Sequence, residues 1–221
     1  MNAVSAARSR SRRTAALIVG IAAAAAFVGV SLVIYADGRQ PLPTDVWWHR
    51  VMIATLSPAG VVIAWIPSIV GGTIGMIVIA LLLVVVFLWR RRRWDAANIA
   101  IAIALVVAIG APMSYIVARV RPGDSLAEST ATSFPSGHTA VATTVAVTLG
   151  LLLRRWYVWA LGVLWVLWMM WARTYLHAHW LSDVIAGLLE GIAVATLVWW
   201  AVDTVRERRA ERSASAAPVG P

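Results

Sequence analysis

Three groups of polar residues interrupt an otherwise apolar chain, and their types suit the transfer of an oxyanion such as a phosphoryl group. They are Arg121-Pro122, then Pro135-Ser136-Gly137-His138, then Arg173 with His179 and Asp183. Arginine presents a planar fork of donors matched to phosphate oxygens and stays charged at any working pH. Ser136 and Gly137 read as the opening of a helix, where free backbone N–H groups and the helix dipole favour an anion and Gly lets it approach closely. Such a cradle needs no metal. His179 and Asp183 are four apart, so on a helix they share a face and the carboxylate can orient the imidazole and stabilise its charged form. An oriented His is a candidate nucleophile, and His138, on another helix, suits the acid that protonates a departing oxygen and then the base that activates water. A lone His near a helix end is more often an interfacial hydrogen-bonder; an ionisable group inside a membrane span is nevertheless a functional candidate by default.

The elements that must position these groups are membrane helices. Of 221 residues 61% are hydrophobic and 13% charged, too apolar for a soluble domain and too poor in charge for a disordered chain. With no cysteine, disulfides, thiolate nucleophiles and Cys-ligated metals are excluded. The uncharged stretch from Thr14 to Ala36 would be about 34 Å long as a helix, enough to cross the hydrocarbon and longer than the apolar region of a cleavable signal peptide. Further spans are expected at 62–89, 97–118, 136–153, 156–175 and 180–202, with Pro67, Gly71 and Gly72 as kink or start points in the second. Pro43-Thr44-Asp45, leading into Trp47 and Trp48, reads as a short interfacial helix.

The expectation is therefore an all-α, integral membrane bundle of six transmembrane helices. All 19 basic residues are Arg. Their clusters, at the N-terminus, at 90–93, at 154–155 and at 206–212, fall at every second boundary, which by the positive-inside rule puts both termini in the cytoplasm. These clusters are topology signals, and no nucleic-acid partner is expected. Residues 1–13 form a basic cytoplasmic N-terminus, 14–205 the six-span domain, and 206–221 a disordered cytoplasmic tail. The three polar groups then share the extracytoplasmic side of the plasma (inner) membrane.

In these motifs the chain resembles the type-2 phosphatidic acid phosphatase superfamily, whose signature reads K-x6-R-P, then P-S-G-H, then S-R-x5-H-x3-D. The second part is complete at residues 135–138; the third matches at Arg173, His179 and Asp183, with Ala172 in place of its Ser; the first keeps Arg121 and Pro122 but has Ser114 where the family has Lys. The resemblance implies a metal- and cofactor-independent phosphatase in which His179 attacks phosphorus to form a phosphohistidine. His138 protonates the leaving group, Arg121, Arg173, Ser136 and Gly137 hold the phosphoryl oxygens, and Asp183 orients His179. Arg119 is a possible substitute for the missing Lys, although five residues from Ser114 it lies on another helix face unless the helix frays before Pro122. A Lys at 114 is expected on the Arg121 face, seven residues away, where it would strengthen phosphate binding.

The implied substrate is a lipid phosphate held in the membrane. Polyprenyl diphosphate is favoured, ahead of phosphatidic acid or phosphatidylglycerol phosphate. A lipid phosphotransferase comes next, and a non-catalytic lipid binder or transporter is the reading from another class. Soluble haloperoxidases share the motifs, and six spans argue against them. The remaining polar residues have bland readings. His177 is off the motif spacing, His49 is interfacial, Asp124 and Glu128 are solvated loop charges on the path of a headgroup, and Glu190 is a buried polar partner or a pocket wall.

Overall fold

The structure, a computed structural model, describes residues 3–215. Within them the chain is helical: α1 (Ala3–Ala36), α2 (Pro43–Ala54), α3 (Pro58–Val70), α4 (Thr73–Trp89), α5 (Arg93–Val117), α6 (Gly137–Leu153), α7 (Trp156–Tyr175) and α8 (Leu181–Ser215). No strand forms among the described residues; one isolated bridge pairs Val120 with Thr132 inside the loop that joins α5 to α6.

Local chemistry sets most of these ends. α3 begins where the Ser57 hydroxyl accepts from the Gly60 N–H (3.1 Å), with Pro58 at the first helical position. α2 starts at Pro43, and Asp45 reaches back to accept from the Leu42 N–H (2.9 Å). The region expected as one span at 62–89 is two helices meeting at a 47° bend, because Gly71 and Gly72 leave the backbone unbraced where α3 stops. α5 ends at Val117, with Ala118 in the left-handed region (φ 47°). The tail is corrected in part: α8 stays helical through 206–215, where disorder was expected, and residues 216–221 lie outside the described residues.

Three helices are long and apolar enough to cross a membrane, in α1, α5 and α8, and the bent α3–α4 pair qualifies as a fourth; α6 is a shorter apolar helix. Ile18 and Leu32 on α1, Leu81 and Val85 on α4, and Leu161 and Leu164 on α7 are all exposed, an outer surface suited to lipid rather than water. α8 is the axis of the bundle, packing on α1, α5 and α6. Gly187 and Gly191 let α6 approach it: a Cβ at Gly187 would fall 2.5 Å from the Ser136 carbonyl oxygen, and one at Gly191 2.6 Å from that of Ala140. Val106, Ala140 and Val194 close the packing below. This contact holds the start of α6 against the start of α8.

The arginine clusters gather at the other end. Arg13 of α1 pairs with Glu207 of α8, Arg92 pairs with Asp95, and Arg154 and Arg206 line the same polar cavity as Asp95.

Candidate active site

The site is assembled from the α5–α6 loop, the first turn of α6, the end of α7 and the turn into α8. The Val120–Thr132 bridge folds the loop back on itself, and the Ser136 N–H donates to the Asp183 carbonyl (3.1 Å), joining the openings of α6 and α8. All the residues expected in the cradle come to this end. Ser136 is fully buried and its hydroxyl is used locally, 3.0 Å from Thr139 Oγ1 and accepting from the Thr139 N–H, so it acts as the N-cap of α6. Gly137 follows as the first helical residue.

Arg121 spends most of its fork on structure. Its Nε donates to the Thr130 carbonyl (2.9 Å), Nη2 to the Thr132 carbonyl (2.6 Å) and Nη1 to the Ala178 carbonyl, which clamps the loop to the turn that carries His179. Burial lowers its pKa from the ordinary arginine value, with Glu128 and Asp183 opposing that shift. Arg173 is more available: Nη1 donates to Ser68 Oγ (3.2 Å), Nη2 to Glu128, and Nε has no partner.

His179 Nδ1 lies 2.7 Å from the Ser133 carbonyl. A carbonyl only accepts, so the proton sits on Nδ1 and Nε2 carries the free lone pair. Burial, followed by the charges of Arg173, Arg121 and His138, lowers the His179 pKa well below the ordinary imidazole value, which keeps the ring neutral at pH 7. The orienting contact differs from the expectation. Asp183 Oδ2 is 3.8 Å from His179 Nδ1, beyond hydrogen-bond range, because that carboxylate already accepts from Arg119 Nη1 (2.7 Å) and from the Trp180 N–H (2.9 Å). The Ser133 carbonyl orients the ring, and Asp183 acts on it at longer range.

Glu128, which sequence reasoning set aside as a solvated loop charge, enters the cradle. Its carboxylate contacts Arg173, lies 3.0 Å from Arg121 Nη2 and 3.7 Å from His138 Nδ1. One carboxylate thus meets three groups expected to hold or protonate a phosphate ester. No spacing rule signals such a contact, since it depends on how the loop folds.

The two auxiliary candidates make other contacts. Arg119 is fully buried and shared between Asp45 (2.6 Å) and Asp183 (2.7 Å), with further donation to Ser182 Oγ (2.6 Å) and the Gln40 carbonyl (3.0 Å). Both its Nη groups are taken, and only the buried Nε is without a partner. Ser114 donates to the Ala111 carbonyl (2.8 Å) within α5, and because that helix stops at Val117 the seven-residue spacing to Arg121 does not place the two on one face.

Beside His138 and Gly137 a cavity of about 370 Å³ descends between α4, α5, α6 and α8. Its walls are largely apolar; Ser114 lies on it, and Glu190, 2% exposed, reaches it past Gly110 with neither carboxyl oxygen hydrogen-bonded. The cavity reaches the site at His138 and is otherwise a mainly apolar space suited to hydrocarbon.

Residues 95–207 match the family profile described as the PAP2 superfamily. The chain is 31% identical over 153 residues to an undecaprenyl-diphosphatase of Sulfolobus acidocaldarius, covering 66% of this chain and 67% of that protein. It is 32% identical over 121 residues to a lipid A 1-phosphatase of Porphyromonas gingivalis, covering 52% of this chain and 26% of that one. Its fold is similar to the crystal structure of a PAP2 type phosphatidylglycerolphosphate phosphatase from Bacillus subtilis, with a TM-score of 0.75 at 18% identity over 84% of this chain and 96% of that one.

Proposed function

This chain belongs to the PAP2 superfamily and is a phosphatase, and from that premise we propose that it hydrolyses a polyprenyl diphosphate through a phosphohistidine on His179. The observation that carries the chemistry is His179 with Nδ1 held by the Ser133 carbonyl, beside two arginines that already hold a carboxylate. In the first step the Nε2 lone pair forms a bond to phosphorus while the bond to the lipid-side oxygen breaks. His138 gives that oxygen a proton. In the second step His138 takes a proton from water, the water oxygen bonds to phosphorus, and the P–N bond breaks to release phosphate. Arg173, Arg121 and the N–H groups at the start of α6 stabilise the charge on the transferring group.

A lipid substrate is supported by the apolar cavity beside His138, and the polyprenyl choice by similarity to an undecaprenyl-diphosphatase. Phosphate release by purified protein from undecaprenyl diphosphate, phosphatidic acid and phosphatidylglycerol phosphate tests it. The diphosphate should give the highest kcat/KM; preference for a glycerolipid would overturn the substrate assignment and keep the phosphatase. Release should persist in excess EDTA and be inhibited by vanadate, which mimics five-coordinate phosphorus. Loss in chelator with rescue by magnesium would reject the mechanism.

Glu128 holds the place of the phosphoryl group until substrate displaces it. Glu128→Gln removes the competing charge and keeps the shape, so vanadate should bind about tenfold more tightly, the scale of one charge-assisted hydrogen bond. Unchanged or weaker inhibition would assign Glu128 a supporting role instead.

We further propose six crossings, by α1, the α3–α4 pair, α5, α6, α7 and α8, with the arginine-rich end in the cytoplasm of the plasma membrane and the site outside. The positive-inside rule supports this orientation. A cysteine replacing Ser129, exposed in the α5–α6 loop, should react with an impermeant maleimide in intact cells, and one replacing Ser213, exposed on α8, only after lysis. The opposite pattern would invert the topology.

A further inference from the structure

Outside the phosphoryl site, three side chains of metal-ligand type meet from separate segments: His49 of α2, Asp124 of the α5–α6 loop and His177 of the turn between α7 and α8. His49 Nε2 is 3.2 Å and His177 Nδ1 2.9 Å from Asp124 Oδ2, and the three atoms lie within 4.8 Å of one another. A tetrahedral zinc ion, with bonds near 2.0 to 2.1 Å, keeps its ligand atoms roughly 3.3 Å apart, so a small rotation of the carboxylate turns this cluster into three of the four positions of such a shell.

Ordinary hydrogen bonding accounts for His49, which meets Asp124 directly. It does not account for His177. That ring is 3% exposed, and both its nitrogens are buried without an aligned hydrogen bond. A buried imidazole left so is costly, and a cation bound at Nδ1 would satisfy that nitrogen. Among the described residues Asp124 pairs with no arginine, so its charge is not already neutralised there. Its side chain is 47% exposed, which leaves an entry path from solvent. The Trp180 ring, 5.3 Å from that of His49, and the two imidazoles, 4.6 Å apart, fix the ring orientations.

We propose that His49, Asp124 and His177 bind one divalent transition-metal ion of the zinc class, with water completing its shell. Two imidazoles and one carboxylate suit zinc, whereas magnesium and calcium take oxygen ligands. The ion takes no part in phosphoryl transfer. It ties α2 to the α5–α6 loop at Asp124, four residues before Glu128, and to the α7–α8 turn at His177, two residues before His179, and so stiffens the rim of the site. This inference stands on the cluster alone and does not depend on the substrate assigned above.

The test uses full-length, chelator-stripped protein in detergent without a histidine tag. Titration with zinc against a chromophoric chelator should show one ion per chain and a raised melting temperature, with no such response to magnesium. His49→Ala and Asp124→Asn should each weaken zinc binding by at least about tenfold and remove the thermal shift. Should either variant fail to fold, cobalt added to the unaltered protein gives a second measurement: strong visible bands of tetrahedral type support the site. Absence of stoichiometric zinc binding, binding that survives both variants, or only weak octahedral cobalt bands would overturn it.

Discussion

His179→Ala is expected to lose phosphate release by at least about 10,000-fold, since removing the proposed nucleophile closes the whole covalent route rather than one interaction along it. The fold should survive. The ring makes one hydrogen bond, to the Ser133 carbonyl, and its loss costs about 1 kcal/mol, small against the packing of α8 on α1, α5 and α6. Melting near the normal temperature with no turnover and no acid-labile phosphoenzyme is the expected result, and a variant with normal turnover would sink the assignment. His138→Ala should differ in kind, slowing release by roughly 100 to 10,000-fold while leaving the nucleophile in place. A substrate whose leaving group needs no proton should then restore the first step in His138→Ala and not in His179→Ala. In the proposed mechanism the attacking form of His179 is the neutral one. Because burial and the neighbouring arginines lower its pKa, protonation of this residue should cut kcat/KM only below the ordinary imidazole range.

The helices were legible because apolar runs broken by Arg, Gly and Pro set their lengths, and the short α2 was legible from its start at Pro43-Thr44-Asp45. The motif residues come together at one end of the bundle, whereas the contacts among them were not legible from their spacing. Ala118 carries no signal of a left-handed cap, so helix-face arithmetic ran past Val117 and set Ser114 on the face of Arg121. Glu128 enters the cradle through a loop closed by a single bridge, and Asp45 meets Arg119 from a helix far away in the chain; neither follows any period. The helix beyond Arg206 was missed because charge and small residues were read as disorder. Ala, Glu and Arg are also strong helix formers, and there Glu207 meets Arg13 while Arg209 stacks on Trp94.

Arg119→Ala should be the most damaging substitution for the fold itself. The guanidinium sits between two fully buried carboxylates, Asp45 of α2 and Asp183 of α8, and satisfies Ser182 and the Gln40 carbonyl as well. Removing it leaves like charges facing each other without water. Breaking a buried pair costs about 3 to 5 kcal/mol, a large share of the 5 to 15 that typically holds a domain together. The expected outcome is a markedly lower melting temperature in detergent and poor recovery of monodisperse protein. Activity should fall with it, because Asp183 also accepts from the Trp180 N–H and its backbone carbonyl receives the Ser136 N–H, so its displacement disturbs the openings of both α6 and α8. A phosphate-binding Arg119 would behave otherwise, raising KM with the melting temperature unchanged. Asp45→Asn separates the two, since added to Arg119→Ala it removes one of the stranded charges. Recovery of melting temperature in the double variant supports the structural role, whereas a normally stable Arg119→Ala protein with a raised KM would return Arg119 to the phosphate.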